Sequence, residues 1–226
     1  MSPNTTSQKH ETFVRWFLRF NGYFSIENFI VHDPAHVSNG TVANRTEVDT
    51  LAVRLPFSRE ERGQFVAANW PPLVSGSEGK YDIVIAESKS GKANKPNNVW
   101  SKRDEDVIRD VVRFIGLHSS EEVIDHVASK LGQEFKCDGP DHRYRYIIFC
   151  DVPNRQYVGQ GVTYLTYQAM VRFLVEVRGQ SWTHVNRGVT SIHYQWHELV
   201  NEIFRISNEH GASIEDRCAR IIAALA

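Results

Sequence analysis

An α/β fold built on a mixed sheet is what the sequence predicts, on three observations. Two apolar runs, 81–87 (YDIVIAE) and 144–151 (YRYIIFCD), have the length and composition of strands buried on both faces. Segments with helical spacing precede the first run and separate it from the second. The order over the first 150 residues is therefore helix, strand, strand, strand, helix, strand. That order suits a sheet flanked by helices, followed by a C-terminal helical extension.

Each element has a local reason. Residues 10–20 read as an amphipathic helix because Phe13, Phe17 and Phe20 recur at helical spacing beside Val14 and Leu18. Asn21-Gly22 stops it. Residues 23–31 and 47–55 read as strands, separated by a polar loop over 33–44 that contains Pro34 and Gly40. Residues 56–80 read as irregular, with a short helix over 58–68 and a break at Pro71-Pro72. A polar loop over 88–100 leads to a helix over 101–116. A second helix over 120–131 has Ser119 or Ser120 as its cap and Glu121-Glu122 in its first turn. Beyond 152, residues 161–177, 193–207 and 214–225 read as helices. The expected organisation is a disordered leader over 1–9, a core over 10–160 and a helical extension over 161–226.

Composition narrows the partners. The formal net charge of −1 on 226 residues gives no global attraction to a polyanion, so any such attraction must come from a local patch. The three cysteines form no C-x-x-C spacing, which argues against a zinc ribbon or a disulfide framework. The first nine residues are polar and no run reaches the length of a membrane span, so a cytoplasmic protein without membrane contact is expected. The sequons at Asn4, Asn39 and Asn44 are read as chance.

The chemistry concentrates in two strands. Side chains alternate along a strand, so Glu47, Asp49, Leu51 and Val53 share one face, as do Ile83, Ile85, Glu87 and Lys89. A carboxylate and an ammonium thus end an otherwise apolar strand. If the two strands pair antiparallel, the register that sets Leu55 opposite Tyr81 also sets Asp49 opposite Glu87. Two carboxylates beside a lysine suit a hard divalent cation, Mg2+ or Mn2+, that keeps waters a phosphodiester can replace. Lys89 is placed to orient or deprotonate the water, or to stabilise the phosphate. The bland reading is an exposed hairpin with a Glu87–Lys89 salt bridge, which leaves unexplained why a charged pair ends so apolar a strand.

Glu47-x-Asp49 followed by a strand ending Glu87-x-Lys89 is similar to the PD-(D/E)XK nuclease superfamily, especially its Holliday-junction-resolvase-like members. Glu11, in step with Val14 and Leu18, matches the glutamate of that family's first helix. Phe20-Asn21-Gly22-Tyr23 resembles its entry into the first strand. The resemblance covers residues 10–152. It implies a restriction-endonuclease-like fold and metal-dependent hydrolysis of phosphodiester bonds, with DNA as the expected substrate. It also implies Glu11, Asp49 and Glu87 as metal ligands, with the Ser88 carbonyl added, and Lys89 as the residue that activates water. The chain departs from the pattern in its long Asp49–Glu87 separation and in Ser88, where an apolar residue is usual.

Residues 88–103 contain Lys89, Lys92, Lys95, Lys102 and Arg103 and no acid, so Lys92, Lys95, Lys102 and Arg103 are read as nucleic-acid contacts. Arg143 and Arg145 are candidates to extend that patch, and Trp100 and Tyr144 to stack on bases. His193 and His197 have a zinc-like spacing but no evident third ligand, and a packed pair is the simpler reading. The alternatives to a nuclease are a non-catalytic nucleic-acid-binding module and a protein-interaction subunit. The amphipathic segments 193–207 and 214–225, joined by a short linker with Gly211, are expected to form a helical hairpin. That hairpin either packs on the core or contributes to a homodimer interface, and the homodimer is expected because duplex cleavage needs two sites.

Overall fold

The computed structural model describes residues 6–38, 41–58, 61–62, 65–66, 68–91, 94–179 and 197–226. Lys92 and His193 lie outside the described residues. The chain runs α1 (Thr6–Phe20), β1 (Tyr23–Ser38), β2 (Thr41–Arg54), β3 (Glu61–Arg62), β4 (Phe65–Val66), α2 (Pro71–Val74) and β5 (Tyr81–Lys89). It continues with α3 (Asn98–Lys102), α4 (Glu105–Ile115), α5 (Glu121–Glu134), β6 (Lys136–Asp138), β7 (His142–Cys150) and α6 (Arg155–Val158). Next come β8 (Thr163–Thr166) and α7 (Tyr167–Phe173), which runs on as a π-helical turn (Leu174–Arg178). The last elements are α8 (Glu198–Ser207) and α9 (Ile214–Leu225).

The main sheet is mixed and six-stranded, in the order β1-β2-β5-β7-β6, with β8 also paired to β7. β5 and β7 are parallel neighbours, as are β7 and β8, so three strands end on the same side. β5 explains its own centrality. Residues Asp82 to Glu87 are all buried; Ile83 and Ile85 enter one core and Val84 and Ala86 the other. The first core packs α1, α7, α8 and α9 on one face, and the second packs α3, α4 and α5 on the opposite face. Among the described residues no helix is long and apolar enough to cross a membrane.

Several boundaries differ from the sequence reading, each for a tertiary reason. Residues 6–9, expected in a disordered leader, form the first turn of α1, where the Thr6 hydroxyl donates to the Ala226 carbonyl at 2.7 Å. Of the polar loop expected over 33–44, residues 33–38 and 41–44 instead belong to the paired strands β1 and β2, which a local pattern of polar residues and Pro34 hides. In place of a helix over 58–68 there are the short strands β3 and β4. The helix expected over 101–116 is two helices. Arg103 takes a left-handed conformation (φ 58°) between them, and the Asp104 carboxylate caps α4. The helix expected over 161–177 begins with a strand, β8, because Tyr164, Leu165 and Thr166 find the open edge of β7 beyond the point where β6 ends.

α8 and α9 form the expected hairpin, and its apolar face is used within the chain. Ile203, Phe204, Ile206, Ile221 and Leu225 are buried in the first core with Phe13, Phe17 and Met170. The hairpin thus covers the core, while Ile214, Cys218 and Ile222 are only partly buried and keep part of its apolar face at the surface.

Candidate functional site

The site begins where two strands part. β2 pairs with β5 antiparallel through Arg54↔Asp82, Val53↔Ile83, Ala52↔Val84, Leu51↔Ile85 and Thr50↔Ala86. This is the register expected from the sequence, and its next step would set Asp49 against Glu87. There the ladder stops. The Asp49 carboxylate takes the Ser88 N–H instead, accepting it through Oδ2 at 2.7 Å. On the other side of β2, Asn28 sits between the pairs Glu27↔Thr50 and Phe29↔Val48 with φ at 48°. Val48 and Leu51, an odd number of residues apart, pack in the same core, so the strand turns about its axis at Asp49.

Glu87 is 1% exposed. Its Oε2 lies 3.0 Å from the Lys89 Nζ, but no donor is aimed at that oxygen with hydrogen-bond geometry. Its Oε1 faces the backbone N–H of Asn97 at a long 3.4 Å. Burial pushes the Glu87 carboxyl above its ordinary pKa; Lys89 opposes the shift and the Asp49 charge adds to it. Tyr146 lies beneath, stacked on Trp100 with ring centroids 4.5 Å apart. Its phenol is pushed well above its ordinary value, first by burial and then by the Glu87 charge.

Glu11 joins this field from α1. Its carboxyl is raised by burial, held back by a hydrogen bond from the Ser7 hydroxyl at 2.9 Å, and raised further by the charges of Asp49, Glu47 and Glu27. Glu27 is in turn ion-paired with Arg15, one turn along α1 from Glu11. Ser88 turns its hydroxyl to the opposite face, 2.7 Å from the Tyr167 hydroxyl, which donates to the Phe149 carbonyl at 3.0 Å. Tyr167 stacks on His10 with centroids 4.3 Å apart. Burial drives the His10 pKa down, and its Nδ1 has no hydrogen-bond partner.

The structure therefore brings Asp49, Glu87 and Lys89 together and adds Glu11 through charge. Among the described residues, no group of three or more His, Cys, Asp or Glu side chains is arranged to hold a metal ion. The donors still fit a hard cation that keeps most of its waters, which needs only one or two carboxylates. The buried Glu87 Oε2, without an aligned donor, is the atom that fits such an ion best.

The remaining expected contacts divide. Lys95, Lys102 and Arg103 are all exposed, as a phosphate contact requires, and Arg103 also leans over the Phe135 ring at 5.7 Å. Arg145 cannot extend the basic patch. It is 3% exposed and holds Asp82 at 2.7 Å, at the far end of β5 from Glu87. Arg143 is spent on the Ser75 carbonyl and on Asp138. Trp100 and Tyr144 are fully buried and cannot stack on bases.

Two residues near the site escaped the sequence reading. Asn97 caps α3, and its side-chain amide reaches the Glu47 carbonyl at 3.3 Å, so it bridges both candidate strands. An Asn ahead of a helical pattern was the available signal. Tyr146 had no signal, because its approach to Glu87 depends on the parallel β5–β7 register, Ile85↔Tyr146.

Burial of a carboxylate carries a testable sign. With a folded pKa above the unfolded one, Glu87 costs no stability while protonated in both states. The cost then grows as pH rises from the unfolded value through the folded one. Glu87→Gln is thus expected to melt higher than the parent at about pH 8, with the advantage vanishing at about pH 4. A variant less stable than the parent at the higher pH would show that the Lys89 pairing outweighs the burial.

Compared with protein families, with characterised proteins and with solved structures, the chain gives no significant match.

Proposed function

We propose that the chain is a metal-dependent nuclease with a restriction-endonuclease-like core, hydrolysing phosphodiester bonds in DNA with Mg2+ or Mn2+. The observation that carries this reading is the convergence at the β2–β5 fork: Asp49 on the Ser88 amide, Glu87 buried beside it, and the Lys89 ammonium 3.0 Å from Glu87. Asp49 and Glu87 would hold the ion, with Glu11 close enough in charge to tune it. When bound, the ion supplies an acidified water and neutralises phosphate charge. Lys89, 31% exposed at its side chain, then turns from Glu87 toward the incoming phosphate or water. Asn97 holds the mouth of the site by tying α3 to β2. Lys95 and Lys102 meet the backbone of the strand on either side.

A second reading has a specific observation in its favour. Asp49 is already engaged by the Ser88 amide and Lys89 by Glu87, which suits a non-catalytic nucleic-acid-binding or protein-interaction module on the same scaffold. One assay separates them. Linear, circular and single-stranded DNA are each incubated with Mg2+, Mn2+ or chelator. Cleavage that requires either ion and is lost in Asp49→Asn is expected. DNA that is bound but never cut sinks the nuclease reading.

A further inference from the structure

A cleft of about 450 Å³ opens at the carboxyl ends of the parallel strands β5, β7 and β8. Its near wall starts at Asp151, the residue after Cys150, and Cys150 pairs with Lys89. The loop leaving Lys89 is tied to that wall, since the Gly91 N–H donates to Asp151 Oδ2 at 3.2 Å. His10, which neighbours Glu11, feels the Asp151 charge. The cleft and the candidate site thus share one end of the sheet, the cleft on the face of the first core and the Glu87 and Lys89 side chains on the face of the second.

The lining has two characters. Ile214, Cys218 and Ile222 recur every four residues on α9 and make an apolar wall. Burial keeps the Cys218 thiol above its ordinary pKa, so this wall is neutral near pH 7. The rim is polar: Asp151, Gln168, Glu215 and Arg172, the last held by Glu176 at 2.7 Å. Two carboxylates at the rim repel a phosphate. A flat, neutral ring with N–H donors on its edge meets the opposite reception. Its face lies on the isoleucines, its N–H groups donate to Asp151, and Gln168 both donates and accepts. A volume of about 450 Å³ falls in the range of small-ligand sites and does not admit a duplex.

We propose that this cleft receives one unpaired nucleobase of the substrate strand, with guanine favoured because its N1–H and N2–H present two parallel donors to the Asp151 carboxylate. The proposal rests on the nuclease reading and adds to it. A base enters only when it is unstacked, so the strand at the cut is single-stranded, frayed or flipped. Specificity then comes from the Asp151 edge, while the apolar wall supplies sequence-tolerant contact.

The test pairs a binding readout with a cleavage readout on the full chain. Guanosine and thymidine are titrated as free nucleosides by calorimetry or NMR. Single-stranded oligonucleotides that differ at one base beside the cut are then compared for cleavage. Guanosine is expected to bind about ten-fold more tightly than thymidine. Asp151→Asn should erase that preference, and Ile222→Trp should fill the cleft and abolish binding. Asp151 is exposed, so the first variant keeps the test decisive if the second misfolds. Guanosine binding lost in these variants, without DNA cleavage, leaves the base cleft standing and removes the nuclease reading. Cleavage indifferent to the neighbouring base, with no nucleoside binding, overturns the cleft and spares the nuclease.

Discussion

Lys89→Ala is expected to slow DNA cleavage by about a hundred- to ten-thousand-fold, the range for losing one positioned proton-transfer or charge-stabilising group. The loss has two separable parts. One is the missing ammonium at the water or phosphate. The other is indirect: Lys89 is the largest influence holding the Glu87 pKa down against burial. Without it Glu87 stays protonated to higher pH, and a carboxylate must be deprotonated to hold a cation. Metal binding and the acid limb of the rate profile should therefore both move upward in pH. Lys89→Arg keeps the charge and should restore the metal-binding limb while leaving the rate depressed, because a guanidinium does not deprotonate in this range. Single-turnover rates and metal titrations across pH check both parts. Parental turnover in the alanine variant would remove Lys89 from the mechanism.

Asp82→Ala is expected to be the most destabilising of these substitutions. Asp82 is fully buried and accepts from Arg145 at 2.7 Å and 3.2 Å and from the Tyr23 hydroxyl at 2.6 Å. Arg145 also donates to the Tyr23 hydroxyl at 3.1 Å and to the Leu73 carbonyl at 2.7 Å. Removing the carboxylate leaves a guanidinium buried without its counter-charge, which costs about 3–5 kcal/mol. For a chain of this size that lowers the melting midpoint by roughly 6–20 °C. Replacing both partners, as Asp82→Leu with Arg145→Met, should return most of the loss, since the penalty comes from the orphaned charge and not from the absence of a salt bridge. Melting curves of the parent, single and double variants test this. A single variant that melts with the parent shows that water or backbone already satisfies Arg145.

Much of the scaffold was legible because its signals are local. The continuous apolar runs of β5 and β7 and the periodic faces of α1, α4, α5 and α9 are written in consecutive residues. So was the facing of Glu87 with Lys89, which follows from strand geometry alone. Antiparallel pairing of β2 with β5, with Leu55 set opposite Tyr81, gives a register that appears residue for residue from Thr50 to Arg54. Other features depend on what distant segments bring. Whether Tyr164-Leu165-Thr166 is a strand or a helix was decided by the open edge of β7, since short apolar runs fit either. Arg145 and Trp100 look the same in sequence as residues that meet a ligand. They are interior because Asp82 and Tyr146 stand opposite them. The fork at Asp49, the aromatic floor under Glu87 and the cleft beside Asp151 each join residues from separate elements. Sequence alone determined which faces carry charge. The tertiary structure decided which of those charges lose their water, because desolvation is set by the segments that close over a group, and not by its neighbours in the chain.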